Sequence, residues 1–218
     1  MALTFPLTAA QFWDLLPVSA ITFDDPENVE IGLTGGGDQL ASQLAPMLWT
    51  GEITLGLMTR DEAAFFETMI SLLRGAGRSF LAYDTRRPRP VSDPTGSILG
   101  ASSPLLDTLN VNNRDIRISG LPAAYVLKQG DYLGFSYGSG RRALHRVVPT
   151  TVTASGAGLT PLFEVVPMIR PGAVVATAVT LIKPVIKATV DPGSVNRGVT
   201  GAWVTTGASF RFSQTLAV

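Results

Sequence analysis

Residues 59–75 read TRDEAAFFETMISLLRG and predict the long helix of this chain. Thr59 and Glu62 form a capping box: the threonine hydroxyl accepts from an amide three residues on, and the glutamate accepts from the amide of Thr59. Gly75 is expected to end the helix in the left-handed conformation. Apolar residues recur at the spacing i, i+3, i+4, i+7, and this stripe consists of Phe66, Met69, Ile70 and Leu73.

Strand-like segments flank the predicted helix. Residues 48–58 alternate in polarity, and residues 79–83 form a short aromatic strand. A strand, a helix and a strand in about 35 residues fit a βαβ unit. No second long helix is predicted, however, so the sequence favours a mainly β protein with a minor α component. In that fold the helix covers one face or end of a β-sandwich.

The N-terminal region predicts a short helical turn and two strands. Thr8 and Gln11 form a second capping box, which opens the turn. Residues 18–23 and 29–33 alternate as strands do. Glycines 35–37 follow them, and they form either a flexible loop or a point of close backbone approach.

Residues 84–94, DTRRPRPVSDP, mark the clearest shift in composition. Three arginines and three prolines predict an extended loop that cannot join a central ladder. Residues 96–113 are small and polar, and they predict a domain boundary. Beyond them short strands alternate with glycine-rich turns, as in a sandwich or barrel, and the predicted strands are 116–119, 131–137, 144–149, 162–166, 173–182, 185–190, 202–206 and 209–216.

Charge and composition argue against several classes of function. The chain of 218 residues carries 17 basic and 17 acidic side chains, which disfavours a nucleic-acid binder that neutralises phosphates. The absence of cysteine excludes disulfides and thiolate metal sites. No apolar run is long enough to span a membrane, and the N-terminus, with Asp14 and no basic region, is not expected to be a signal peptide. Charged residues make up only 16%, which favours a subunit of an assembly, although a monomer with an uncharged polar surface fits the same value.

The motifs predict no catalytic residue, no cofactor and no metal site. His145 is the single histidine, and it is interpreted as a structural strand residue near the surface. Asp24, Asp25, Glu27 and Glu30 carry the oxygen ligands that calcium prefers, but they lack the spacing of a calcium loop and are interpreted as a solvated turn. The glycine-rich segments lack the setting of a dinucleotide or phosphate site.

Five residues form the candidate interface. The tryptophans of the chain can form a sugar-stacking platform or act as core or interface anchors, and Trp49 and Trp203 are the predicted interface members. Arg86, Arg87 and Arg89 can pair with carboxylates of a neighbouring subunit, or they can stay solvated in an exposed loop.

Three segments resemble one family of proteins. They are PLTAAQFWDLLP at 6–17, LWTGEITLGLMTRDEAAFFETMISLLRGAGRSFLAYDTRRPRP at 48–90 and VLKQGDYLGFSYGSGRRALHRV at 126–147. The sequence is similar to the distal tail proteins of long-tailed, non-contractile phages and prophages. Hydrophobic and glycine patterns carry this resemblance, mainly at Leu48-Trp49, 59–75, 80–84 and 127–132.

The resemblance implies two β modules. Residues 1–103 with 183–218 would form a ring-building β-sandwich or barrel that carries the helix at about 59–75. Residues 104–182 would form a second, small β-barrel or sandwich. The C-terminal strand 209–216 would then pair beside the early strands.

The resemblance also implies a structural role without chemistry. The chain would form a homo-oligomer, a hexameric ring that joins the tail tube protein to the hub and tail-tip proteins. It would be made in the host cytoplasm and reside in the virion, at the phage tail tip or baseplate. No enzyme activity, no cofactor, no nucleic-acid sequence recognition and no membrane association are implied, and a host glycan is a further candidate partner.

Two rival functions remain open from the sequence. In a carbohydrate-binding module of an adhesion device, a tryptophan with Tyr132 and Tyr137 would stack on sugar rings. In a glycosidase or other hydrolase on a β-sandwich, paired carboxylates from distant parts of the chain would act together, and the sequence names no such pair.

Overall fold

The computed structural model of this protein describes residues 3–43 and 47–217. In these ranges the chain forms seventeen strands and one α-helix, which confirms the mainly β fold class with one long helix. Helix α1 spans Arg60–Leu73, and short 3-10 turns span Ala9–Gln11 and Trp13–Leu15. The strands are β1 (Val18–Asp24), β2 (Val29–Leu33), β3 (Gln39–Gln43), β4 (Thr50–Leu55), β5 (Phe80–Ala82), β6 (Leu105–Leu109), β7 (Asp115–Ser119), β8 (Val126–Lys128), β9 (Tyr132–Tyr137), β10 (Arg141–Val147), β11 (Thr151–Thr153), β12 (Phe163–Val166), β13 (Val179–Thr180), β14 (Ile186–Val190), β15 (Val199–Thr200), β16 (Thr205–Thr206) and β17 (Ser209–Gln214).

The chain separates into two compact units, each assembled from distant segments. One unit, called the barrel unit below, contains residues 1–15, 76–188 and 216–218. The other, called the helix unit, contains residues 16–75 and 189–215. The family resemblance implies different module bounds, 1–103 with 183–218 and 104–182, and these stay a prediction.

Helix α1 packs on three antiparallel strands in the helix unit. Strand β4 lies between β1 and β17, with Phe23 and Phe212 both opposite Gly51. The helix covers the inner face of these strands, where the Phe66 and Phe210 rings lie 6.0 Å apart. The pairing of β17 with β4 confirms that the C-terminal strand lies beside the early strands.

The ends of α1 confirm one prediction and correct another. The Thr59 amide donates to Oε2 of Glu62 at 2.8 Å, and the Glu62 amide donates to Oγ1 of Thr59 at 3.4 Å, so the capping box forms. The helix ends at Leu73, and Gly75 does not adopt the predicted left-handed conformation; that conformation occurs two residues later, at Gly77 (φ 73°). The last turn is closed instead by the Gly75 amide, which donates to the carbonyl of Leu72 at 3.2 Å.

A nearly closed six-stranded barrel forms the larger part of the barrel unit. Its strand order is β13-β9-β10-β12-β7-β6. The two ends of this order approach each other: the Leu106 amide donates to the Thr177 carbonyl at 2.9 Å, and the Val179 amide donates to the Pro104 carbonyl at 2.8 Å. The interior is filled by alternating apolar side chains, including Leu106, Ile116, Ile118, Leu127, Leu133, Phe135, Val147, Phe163 and Val165.

The remaining strand predictions are confirmed in part. Strands lie inside or overlap all the predicted segments, but 173–182 is a strand only at Val179–Thr180. Strands β3, β6, β8, β11 and β15 were missed. The missed strands are short or polar, and β6 lies within residues 96–113, which were interpreted as a boundary. Such short or polar segments show little hydrophobic periodicity in the sequence.

Candidate assembly interface

The predicted interface loop at 84–94 is held by its own carboxylates. Arg86 forms a bidentate pair with Asp84, with Nε 3.0 Å from Oδ1 and Nη2 2.8 Å from Oδ2. The Tyr132 hydroxyl also donates to Oδ2 of Asp84 at 3.0 Å. Asp84 is buried while the Arg86 side chain is half exposed, so Arg86 already has a partner in its own chain.

Asp131 fixes the middle of the loop. This fully buried carboxylate accepts from the amides of Val91 at 3.0 Å and Lys128 at 2.8 Å. Arg87 donates to the Gln129 carbonyl at 2.9 Å, and its Nη1 lies 3.8 Å from Oδ1 of Asp131. The loop is therefore attached to the turn that precedes β9.

Gly130 in that turn leaves room for Arg87. A Cβ at position 130 would lie 2.6 Å from Nη1 of Arg87, and the glycine has φ +79°, in the left-handed region. The Lys-Gln-Gly-Asp stretch at 128–131 therefore has a packing role: the glycine admits the arginine, and the aspartate binds the loop.

Asp93 fixes the far end of the loop. Its carboxylate accepts from the amides of Leu99 at 2.8 Å and Ile98 at 3.2 Å, and the Tyr125 hydroxyl lies 3.4 Å away. Burial raises the pKa of Asp93, but the amide hydrogen bonds outweigh it and hold the pKa below its usual range. Arg89 is half-buried, and its Nε has no hydrogen-bond partner among the described residues.

The two predicted interface tryptophans have opposite environments. Trp49 is 1% exposed, and its ring lies 5.3 Å from that of Phe23 in the helix unit. Its backbone amide donates to Oε1 of Gln214 at 3.2 Å. Trp49 is therefore a core residue, and its interpretation as an accessible interface residue is corrected. Trp203 is 81% exposed and remains available to a partner.

A short hairpin presents Trp203. Strands β15 and β16 pair with each other, and Met58 and Thr205 exchange backbone hydrogen bonds of 3.0 and 2.9 Å. Arg60 donates to the carbonyl of Ala202 at 2.6 Å, and its guanidinium lies 6.0 Å from the centre of the Trp203 ring. The exposed indole is thus held against the first turn of α1.

A second hairpin, β2–β3, exposes an apolar stripe. It is a two-stranded sheet that pairs with no other strand in the described ranges. Val29, Ile31 and Leu33 alternate along β2 and therefore share one face. Ile31 is 59% exposed and Leu33 is 77% exposed.

Sequence reasoning missed this hairpin because its return strand, Gln39–Gln43, is polar and shows no hydrophobic alternation. The available signal was the glycine turn after an alternating run. In the structure the glycines close the hairpin: the Thr34 amide donates to the Asp38 carbonyl at 2.9 Å, and the Gly37 amide donates to the Thr34 carbonyl at 2.9 Å.

His145 is a structural residue of the barrel unit, but the prediction that it lies near the surface is wrong. It is 3% exposed, it stacks on Phe135 at 5.4 Å, and its Nδ1 lies 2.6 Å from the Pro167 carbonyl. Burial lowers the pKa of His145 to about 4; the Pro167 hydrogen bond opposes this shift and the charge of Arg170 adds to it. The imidazole is therefore neutral at pH 7 and donates through Nδ1.

The tyrosines predicted to stack on sugars are not accessible. Tyr132 and Tyr137 are buried, and their hydroxyls contact Asp84 and Arg170, respectively. Burial, and then the charge of Asp84, raise the pKa of Tyr132 to about 12. The prediction that Tyr132 and Tyr137 stack on sugar rings is therefore wrong, because both rings are buried.

No cluster of three metal-ligating side chains is found within 3–43 and 47–217. In the same ranges no helix is long and apolar enough to cross a membrane. No protein-family model matches the chain, and no curated protein matches it significantly.

Proposed function

We propose that this chain is a structural component of a phage tail tip or baseplate, a distal tail protein that forms a hexameric ring between the tail tube and the tip hub. The exposed apolar surface of the helix unit is the observation that carries this proposal. Ile31, Leu33 and Trp203 each expose more than half of their side chain. Ile31 and Leu33 share one face of β2, and contiguous exposed apolar residues are typical of protein-binding surfaces.

The polar groups of the chain support a role without bond chemistry. The carboxylates of Asp84, Asp93 and Asp131 are buried, and they bind backbone amides or an arginine that holds the 84–94 loop. The single histidine is enclosed and bonded to a carbonyl. These groups form hydrogen bonds and ion pairs that stabilise the fold. The proposed function therefore uses binding surfaces and not a reactive centre.

The oligomeric state in solution tests the proposal. Light scattering coupled to size exclusion should give a species of about six times 23.0 kDa, the mass of one chain. A protein that stays at 23.0 kDa at high concentration would contradict the ring. Under this proposal, incubation with a tail tube protein and with a hub protein of the same phage should give a stable complex with each.

Trp203 alone favours a second candidate, a carbohydrate-binding module of an adhesion device. An exposed indole held by Arg60 provides one face for a sugar ring. A glycan array distinguishes the two functions: saturable binding that is lost in Trp203→Ala favours the module, and the absence of binding favours the ring.

A further inference from the structure

The β2–β3 hairpin contributes no side chain to the buried core of the helix unit over residues 26–42. Every side chain in that range is exposed, except that of Thr34, which is half-buried. The hairpin pairs with no other strand in the described ranges. The strands before and after it in the chain, β1 and β4, pair with each other from Val18 opposite Leu55 to Asp24 opposite Thr50. The hairpin is therefore inserted between two strands that are paired without it.

Few side-chain interactions join the two strands of the hairpin. Ile31 lies opposite the small Ala41, and Gly32, which has no side chain, lies opposite Leu40. Residues 24–43 contain five acidic side chains and no lysine or arginine, so no ion pair within this segment joins β2 to β3. A two-stranded hairpin that packs on nothing else is at best marginally stable in water.

The glycines of the hairpin favour its open form. Gly32 lies inside β2, and a Cβ at that position would meet no atom within 4 Å beyond its chain neighbours. The same holds for Gly35 in the turn, so packing requires glycine at neither position. Glycine loses more conformational freedom on folding than any other residue, and within a strand it weakens the pairing.

We infer that the β2–β3 hairpin opens and closes as a separate element while the rest of the helix unit stays folded. Opening breaks the β2–β3 backbone pairing and the turn bonds between Thr34 and Asp38, but it releases no buried side chain from residues 26–42. The packing of Phe66 on Phe210 does not depend on the hairpin. The opening therefore needs far less free energy than global unfolding.

This conformational device differs from the proposed ring function. It concerns a motion within one chain, and it does not require self-association. Elements that rearrange when a protein binds a partner are drawn from its least stable parts, and the structure assigns that place in the helix unit to β2 and β3.

Hydrogen–deuterium exchange of the full chain measures the opening. The amides of β2 and β3 should exchange within roughly 100-fold of the rate of an unstructured chain, whereas those of β4 and β17 should be slower by about 1,000-fold or more. The measurement is made at two protein concentrations about tenfold apart. Hairpin amides that are as protected as those of β4 at both concentrations would overturn the inference.

A disulfide across the hairpin tests whether the exchange comes from opening. Ile31 lies directly opposite Ala41, and such pairs have Cα atoms about 4.5–5.5 Å apart, a distance that a disulfide spans. The chain has no cysteine, so Ile31→Cys with Ala41→Cys gives a single bridge. Oxidation should slow exchange in β2 and β3 by about 100-fold, and reductant should restore it. The reduced form of the same variant is the matched control.

Proteolysis by a glutamate-specific endopeptidase gives a second measurement. Glu27 and Glu30 are exposed near and within β2, whereas Glu52 lies in β4 and Glu62 in α1. Cleavage should occur first after Glu27 or Glu30, and the oxidised variant should resist it. The cut protein should keep its circular dichroism spectrum, because β1 and β4 remain paired. First cleavage after Glu52 or Glu62 would contradict the inference.

A glycine substitution tests the same opening without a covalent bond. Gly32→Val should slow hairpin exchange by about 5-fold, since valine favours the strand and meets no atom within 4 Å. Gly156→Val is the matched control, because Gly156 has the same open surroundings but lies in the barrel unit. If neither Gly32→Val nor the oxidised bridge slows hairpin exchange, the inference is wrong. A protein that never forms a ring leaves it standing.

Discussion

Lowering the pH from 7 to 5 should destabilise this protein through His145. The imidazole is buried in the barrel unit with its Nδ1 bonded to the Pro167 carbonyl. Its Nε2 is enclosed without a hydrogen-bond partner among the described residues. A second proton would therefore create a buried imidazolium with no compensating acceptor at Nε2, which is unfavourable.

The magnitude follows from the pKa difference between the two states. The pKa of His145 is about 4 in the folded protein and near 6.5 in an unfolded chain. A lowered folded pKa means that the unfolded state binds the proton first, so the stabilisation is complete above pH 6.5 and is lost as the pH falls to about 4. At about 1.4 kcal/mol per pKa unit the full loss is roughly 3 kcal/mol, and about 2 kcal/mol of it falls between pH 7 and 5.

Denaturant unfolding at several pH values measures this loss, and His145→Gln is the control. Glutamine retains an amide donor for the Pro167 carbonyl but does not titrate, and the chain has no other histidine. The variant should show a flatter dependence of the unfolding free energy on pH between 7 and 5. Because both proteins keep their carboxylates, the difference between the two curves reports His145.

Two results would refute this reasoning. One is an NMR titration in which the His145 imidazole of the folded protein titrates near 6.5, as in an exposed residue. The other is a His145→Gln variant whose free energy of unfolding falls as steeply as that of the unsubstituted protein when the pH is lowered from 7 to 5.

Three substitutions, one of them with a matched control, test the local interactions by denaturant unfolding. Thr59→Ala removes the N-cap of α1 and should lower the free energy of unfolding by about 1 kcal/mol, so the helical circular dichroism signal should be lost at a lower denaturant concentration. Gly51→Ala would place a Cβ 2.5 Å from the Phe212 ring and should cost roughly 1–3 kcal/mol, whereas Gly56→Ala, which meets no atom closer than 3.4 Å, should be nearly neutral; equal effects would contradict the packing argument. Asp93→Asn replaces a buried charged acceptor and should cost about 1–3 kcal/mol, and an unchanged stability would show that the carboxylate does not hold the loop.

The sequence predicted the elements whose signals are local. The helix followed from a capping box and a 3.6-residue stripe, both complete within residues 59–73. The strands predicted at 18–23 and 29–33 followed from short apolar runs and are found at Val18–Asp24 and Val29–Leu33. Even the position of β17 beside the early strands was predicted, through the family resemblance.

The fate of individual polar and aromatic residues was not predictable in this way. Trp49 and Trp203 have the same side chain, yet one is buried by Phe23 and the other stands on a hairpin that Arg60 supports. The acceptor for His145, the Pro167 carbonyl, lies 22 residues away in the chain. Burial depends on which segments are in contact in the fold, and a single sequence does not show contacts between distant segments.

The sequence by itself therefore determined what kind of protein this is: a mainly β chain with one capped helix, no cysteine and little charge. The tertiary structure decided which surfaces are available. In the tertiary structure Arg86 and Arg87 of the 84–94 loop pair with aspartates of their own unit, whereas Ile31 and Leu33 of the β2–β3 hairpin and Trp203 are exposed. The physical reason is that secondary structure follows from neighbours along the chain, whereas exposure follows from contacts between residues far apart in it.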